Sequence, residues 1–230
     1  RQGCAGNATS SSDNTSASSV AESSDTSTQT SSDASSEDES KEESSQEESK
    51  DLEANYTKYT LDGDLTQHMI DMSRLNEGNK VRLANVIKKL KNGEEVTVGF
   101  IGGSITQGTS AGNDLCYAKL TADWLQKTYS NAKINYVNAG IGATGSYIGV
   151  HRVANDLLSK NPDLVFVEFS VNDTTENTER NKKSYDGLLR TIWKSSTNPA
   201  IITIATTQED GTSFQDQHAE IVKHYDLPMI

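Results

Sequence analysis

Residues 98–108 read VGFIGGSITQG, an apolar run broken by glycines around a single serine, Ser104. Two chemistries use such a stretch. A serine on a sharp turn after a strand presents its hydroxyl outward, and small neighbours such as Gly102 and Gly103 let the backbone approach a substrate carbonyl. Glycines in the same place can instead cradle a phosphate, which requires a Lys-Ser or Lys-Thr pair behind them or a G-x-G-x-x-G pattern. Neither stands at residues 98–108, and the phosphate reading also leaves SVND, residues 170–173, without a purpose. A nucleophilic serine makes demands of its own. The tetrahedral oxyanion needs donors preplaced at about 2.7–3.1 Å, and the hydroxyl needs a base to take its proton.

The elements that must position these groups follow from hydrophobic spacing. Apolar runs at 96–101, 134–137, 164–169 and 201–205 read as buried parallel strands. Between them lie helical spacings: Leu120, Trp124, Leu125 and Thr128; Ile148, His151, Leu157 and Leu158; Tyr185, Leu188, Leu189 and Ile192; and a fourth around 219–225, ahead of LPMI. Strand and helix in alternation imply a parallel sheet covered by helices on both faces, because parallel neighbours need crossover connections. The ligand site of such a sheet lies at the carboxyl ends of its strands. Those ends read GGSITQG, NAGIGATGS, SVNDT and ATTQEDG, and they gather on one edge. Ahead of the first strand, Leu65, Met69, Met72 and Leu75, then Leu83, Val86, Ile87 and Leu90, predict two helices with a break at NEGN.

GFIGGSITQG, VNAGIGATGS and EFSVND, in that order and each just after a predicted strand, resemble the first three signature blocks of the SGNH (GDSL-type) hydrolases. The GGSIT form and NAGIGATGSY are more similar to the acetylxylan-esterase-like carbohydrate esterases than to the lipases. The resemblance covers about residues 60–230 and implies a three-layer α/β/α sandwich on a flavodoxin-like parallel sheet. It further implies that Ser104 is the nucleophile and that the oxyanion is held by the N–H of Ser104, an N–H of the second block and the side-chain amide of Asn172. Laid ungapped on the family's Asn-x-x-x-x-Gly, the donor glycine falls on Ala143, with Gly142 beside it. Ala143 can serve if its φ is ordinary, so both residues are candidates. Ser170 stands where the family has Gly, and Asp173 reads as a turn former. Glu168 is a charge in an apolar run and needs a partner; Arg152, ahead of His151, is the favoured one, the alternative being that the carboxylate reaches solvent at the strand end.

The base is the gap. In the family it is a histidine in an Asp-x-x-His block beyond a fifth strand, and the expectation is that this block lies past Ile230, where LPMI would begin that strand. His218 follows Asp216 one residue too closely, His224 has Ile221 where the acid should be, and His68 reads as surface or packing. The chain alone is then expected to be nearly inert.

The first 50 residues carry 11 acidic and 3 basic side chains, which accounts for most of the net charge of −12 and leaves the remainder mildly acidic. Residues 10–50 are almost entirely Ser, Thr, Asp and Glu, too polar for burial to offset ordering, so 1–52 is expected to be a disordered tether, 53–95 a helical lead-in and 96–230 the hydrolase domain. Cys4 in RQGCAGN, ahead of that polar stretch, resembles the start of a mature bacterial lipoprotein, implying a lipid on Cys4 and a place on the outer face of a membrane. Cys116 opens a predicted helix, and no CxxC or HExxH signals a metal or cofactor. No clustered Lys and Arg meet the demands of nucleic acid. The leading expectation is an esterase that removes acetyl or other small acyl groups from a carbohydrate. A lipid-directed esterase or lysophospholipase of the same fold is the alternative, as is a non-catalytic surface lipoprotein that binds carbohydrate. The acyl group, the sugar and the oligomeric state are not written in the sequence.

Overall fold

The computed structural model describes residues 66–230. The tether, Cys4 and Leu65 lie outside the described residues. Four strands, β1 (Glu95–Gly102), β2 (Lys133–Gly140), β3 (Leu164–Glu168) and β4 (Ala200–Ile204), form one parallel sheet in the order β2-β1-β3-β4. This is the order of a flavodoxin-like sheet.

Period-two alternation divides the core. Val96, Val98 and Phe100 of β1, with Leu164 and Phe166 of β3, face one side, where α2 (Val81–Lys91) and α4 (Tyr117–Thr128) cover them through Val86, Leu90, Ala118 and Leu125. Phe100 pairs with Phe166 in register, and their rings stack at 4.9 Å. Ile101, Val165, Val167 and Phe169 face the other side, under α5 (Ser146–Asp156), α6 (Thr178–Trp193) and α7 (Gln215–His224). The result is the three-layer α/β/α sandwich expected. Beyond α7, Met229 bridges Thr203 of β4 in parallel, and Ile230 N–H donates to Thr203 O at 3.0 Å, so LPMI does run beside β4.

Three expectations about helix faces fail, the first on α5, where Ile148 and His151 are exposed and Gly149 and Val153 turn inward. On α4 the residues turned inward are Ala118, Ala122 and Leu125, while Leu120 and Trp124 are 50% and 60% exposed. Small residues let this helix lie close to the sheet, so the bulky ones point out although the spacing alone fits either face. The short α1 (Gln67–Met72) likewise leaves Met69 and Met72 exposed. What holds the segment after it is backbone pairing: Asn76 bridges Met229 antiparallel, and the position of Gly78 is so close to Leu227 O that a Cβ there would lie 2.6 Å away.

Candidate active site

The sheet register brings Gly102, Gly140, Glu168 and Ile204 into one row at the carboxyl edge. From Gly102 the chain turns through Gly103 into α3 (Ser104–Gln107), a single helical turn closed by Gly108 at φ 97°. Space at this turn is minimal. A Cβ on Gly102 would lie 2.6 Å from Glu168 O, and one on Gly140 2.7 Å from the Gln107 Cα, so glycine is required where α3 presses onto β1 and β2.

Ser104 is half-buried at the start of α3. Its own N–H has no acceptor among the described residues, as befits the first turn of a helix. The Asn172 carboxamide lies against Gly103, where its Oδ1 would collide with any Cβ; that oxygen is buried without a partner, and the Nδ2 donates to no described residue. From the second block, the Cβ position of Gly142 is 3.8 Å from Ser104 Cβ. The fold therefore gathers Ser104, Gly142 and Asn172 from three strand ends into one place.

The structure separates the two candidates of the second block. Gly142 N–H donates to Gln107 Oε1 at 2.7 Å and is already engaged. Ala143 N–H has no acceptor among the described residues. The φ of Ala143 is 57°, however, so the ordinary φ expected of it is not found: an alanine occupies a left-handed position that favours glycine. The reason lies in the tight reversal from β2 into α5, which Thr144 closes by donating its hydroxyl to Ile141 O at 2.7 Å.

The expected Glu168–Arg152 pair does not form. Arg152 donates instead to Ala139 O at 2.5 Å and to Gly102 O at 3.1 Å, satisfying carbonyls at the ends of β2 and β1, and pairs with Asp156 at 3.2 Å. Glu168 is fully buried rather than open to solvent, and it accepts hydrogen bonds from Thr106, Thr206 and the Gly103 N–H. Asn138 adds a staple, donating to Thr106 O at 2.8 Å and accepting the Gly140 N–H at 2.8 Å. Thr106 and Gln107 stand inside the quoted motif, but nothing in their type revealed these roles; Thr206 gave no signal beyond its place at a strand end.

Asp173 sits in a turn, its N–H donating to Phe169 O at 3.0 Å, and its carboxylate does more than turn the chain. It accepts the Ser146 N–H at the start of α5 at 2.8 Å and faces His218 Nε2 at 2.8 Å. His218 is buried, stacked on the Tyr185 ring at 3.8 Å, and its Nδ1 has no hydrogen-bond partner. Nε2 is thus engaged away from Ser104, and Nδ1 is buried with no partner. No histidine among the described residues is hydrogen-bonded to that serine, nor do the described residues contain a group of three or more His, Cys, Asp or Glu that could hold a metal.

A sequence profile of the GDSL-like lipase/acylhydrolase family matches residues 100–226. No curated protein sequence matches significantly. Among solved structures, a two-domain esterase (CEX) active on acetylated mannans, co-crystallised with mannopentaose, superposes with a TM-score of 0.67 at 42% identity, over 69% of this chain and 44% of that one. A second structure of that esterase gives the same score and identity over 69% and 43%. The chain thus spans less than half the length of this relative. A mutant of esterase AlinE4, 18% identical, shares the fold with a TM-score of 0.50 over 59% of this chain and 75% of its own.

Proposed function

The chain belongs to the GDSL-like lipase/acylhydrolase family, and from that premise we propose that it is a serine esterase that removes acetyl or other small acyl groups from a carbohydrate. The observation that carries the proposal is the convergence of Ser104 with the Asn172 carboxamide and the loop after β2, leaving the N–H groups of Ser104 and Ala143 free to donate. The 42% identity to an esterase active on acetylated mannans supports an acetylated polysaccharide as substrate.

In the proposed reaction Ser104 Oγ bonds to the acyl carbon and its proton passes to a base. The oxyanion is met by Ser104 N–H, by Asn172 Nδ2 and by Ala143 N–H, proposed because it is free although its φ is left-handed. Collapse breaks the bond to the sugar oxygen, which takes the proton from the base and leaves as a hydroxyl; water then gives its proton to the base, attacks the acyl carbon and releases the acid, and Ser104 Oγ regains its proton. Ile105 and Ile141, next to Ser104 and Gly142 in the chain, are exposed, and the proposal gives them the acyl methyl and the C–H faces of a sugar to meet.

The proposal assigns no base among the described residues: His218, buried, faces Asp173 rather than Ser104. The same proposal includes a lipid on Cys4 and a place at the bacterial cell surface, supported by RQGCAGN ahead of the polar segment. Mass spectrometry of protein matured from its own precursor should show a diacylglycerol on Cys4; a free thiol there ends the anchor. The activity is tested by acetate release from acetylated mannooligosaccharide by the full-length protein. Ser104→Ala should abolish it, and release that survives the substitution ends the assignment.

A further inference from the structure

Glu168 ends β3, is fully buried, and has no cation beside it among the described residues. A carboxylate in that position is expensive to keep unless its oxygens are fully engaged. They are engaged by donors from two other strand ends. Oε2 accepts the Gly103 N–H at 3.4 Å and the Thr106 hydroxyl at 3.0 Å, and Oε1 accepts the Thr206 hydroxyl at 2.8 Å. Gly103 immediately precedes Ser104, Thr106 lies two residues beyond it, and Thr206 belongs to the loop after β4.

We infer that Glu168 is the positioning residue of the nucleophile, pinning the chain on both sides of Ser104 to the strand that continues into Asn172. The inference rests on the reading of Ser104 as nucleophile. The two halves of the reaction centre come from different strands, and their relative placement is set where those strands meet. The register puts Gly102 opposite Glu168, and the carboxylate extends that pairing one step past the end of the ladder, to Gly103. Arg152 and Asn138 brace the same corner, but through backbone carbonyls; Glu168 alone holds the N–H next to the nucleophile.

The chemistry distinguishes a carboxylate from its substitutes. Gly103 N–H can only donate, so an acceptor must face it. Glutamine keeps one oxygen for Gly103 and Thr106 and turns Nε2 towards Thr206 Oγ, a hydroxyl that can accept and pass its own proton to Ser170 Oγ at 3.1 Å. Leucine can do neither, and it leaves a buried N–H unpaired.

The experiment measures p-nitrophenyl acetate hydrolysis by the full-length protein together with amide hydrogen exchange at Gly103, for the wild type, Glu168→Gln, Glu168→Leu, Thr206→Val and Ser104→Ala. Glu168→Leu should lower kcat by roughly 10- to 10²-fold with little change in KM, the scale expected when a reacting group is misplaced. Gly103 should lose its protection in the same variant, and Glu168→Gln should recover most of both. Thr206→Val, which frees one arm of the carboxylate, should lower kcat and Gly103 protection severalfold, and it decides the matter if Glu168→Leu does not fold. A folded Glu168→Leu with wild-type kcat and protection overturns the inference, as does a Glu168→Gln as damaged as the leucine variant, or a Thr206→Val indistinguishable from wild type. Ser104→Ala separates the two readings: activity that survives it removes the nucleophile, whereas exchange at Gly103 reports on the clamp without any turnover.

Discussion

At the residue scale, the donor set and its strain are open to direct test. Removing one preplaced oxyanion donor costs about 10²- to 10³-fold in kcat. Asn172→Ala should show a loss of that size with the fold intact, because its Oδ1 has no hydrogen-bond partner and its Nδ2 donates to no described residue. Steady-state kinetics beside a thermal melt decide this, and a loss of folding instead would make Asn172 structural. Ala143 predicts a gain. A non-glycine residue in the left-handed region carries roughly 1–2 kcal/mol, of which glycine returns part as unfolded-chain entropy. With φ at 57°, Ala143→Gly should raise stability by about 0.5–1 kcal/mol in urea unfolding. A destabilised variant would mean that the alanine methyl is used in packing.

At the scale of elements, α4 offers a contrast between what its spacing suggests and how it lies. Leu125 is buried against the sheet, and truncation to Ala should cost about 2–5 kcal/mol. Trp124, one residue earlier and larger, is mostly exposed, and Trp124→Lys should stay within about 0.5 kcal/mol of wild type. Chemical denaturation of the pair gives the answer, and a larger loss for Trp124 would show that this face is covered. The contact of α3 with β2 is tighter still. Gly140→Ala drives a methyl into the Gln107 backbone, which cannot move without Ser104, so the variant should fail to fold or lose activity altogether.

At the scale of the molecule, two buried phenols tie stability to alkaline pH. Burial pushes Tyr117 and Tyr185 well above the ordinary tyrosine value. The folded chain therefore holds protons that the unfolded chain begins to release near about pH 10, and the stability these groups contribute, complete below that pH, is lost as pH rises above it. Melting temperatures should be level with respect to these two groups up to about pH 9 and fall beyond pH 10. The fall should be smaller in Tyr185→Phe, and an unchanged fall would place its cause elsewhere.

Much of this was legible in the sequence because it is local. Strands announced themselves as apolar runs, alternation with helical segments implied a parallel sheet, and a parallel sheet dictates that its carboxyl ends share an edge, so Ser104, Asn172 and the loop bearing Gly142 and Ala143 could be placed together before any coordinates. Tertiary structure alone decided the rest. Which face of α4 turns inward depends on how closely the helix can approach the sheet, something the spacing of Leu120 and Trp124 does not carry. Whether Gly142 or Ala143 has a free N–H depends on Gln107, thirty-odd positions away, reaching across a strand pair. Glu168 could be read as a charge in need of a partner, but its donors come from three-dimensional neighbours after β1 and β4, and Arg152, the partner favoured from the sequence, is occupied by carbonyls at the same corner. Hydrophobic periodicity is a property of neighbouring residues, whereas hydrogen-bond partners are chosen by distance and direction across strand ends, which only the folded sheet brings into register.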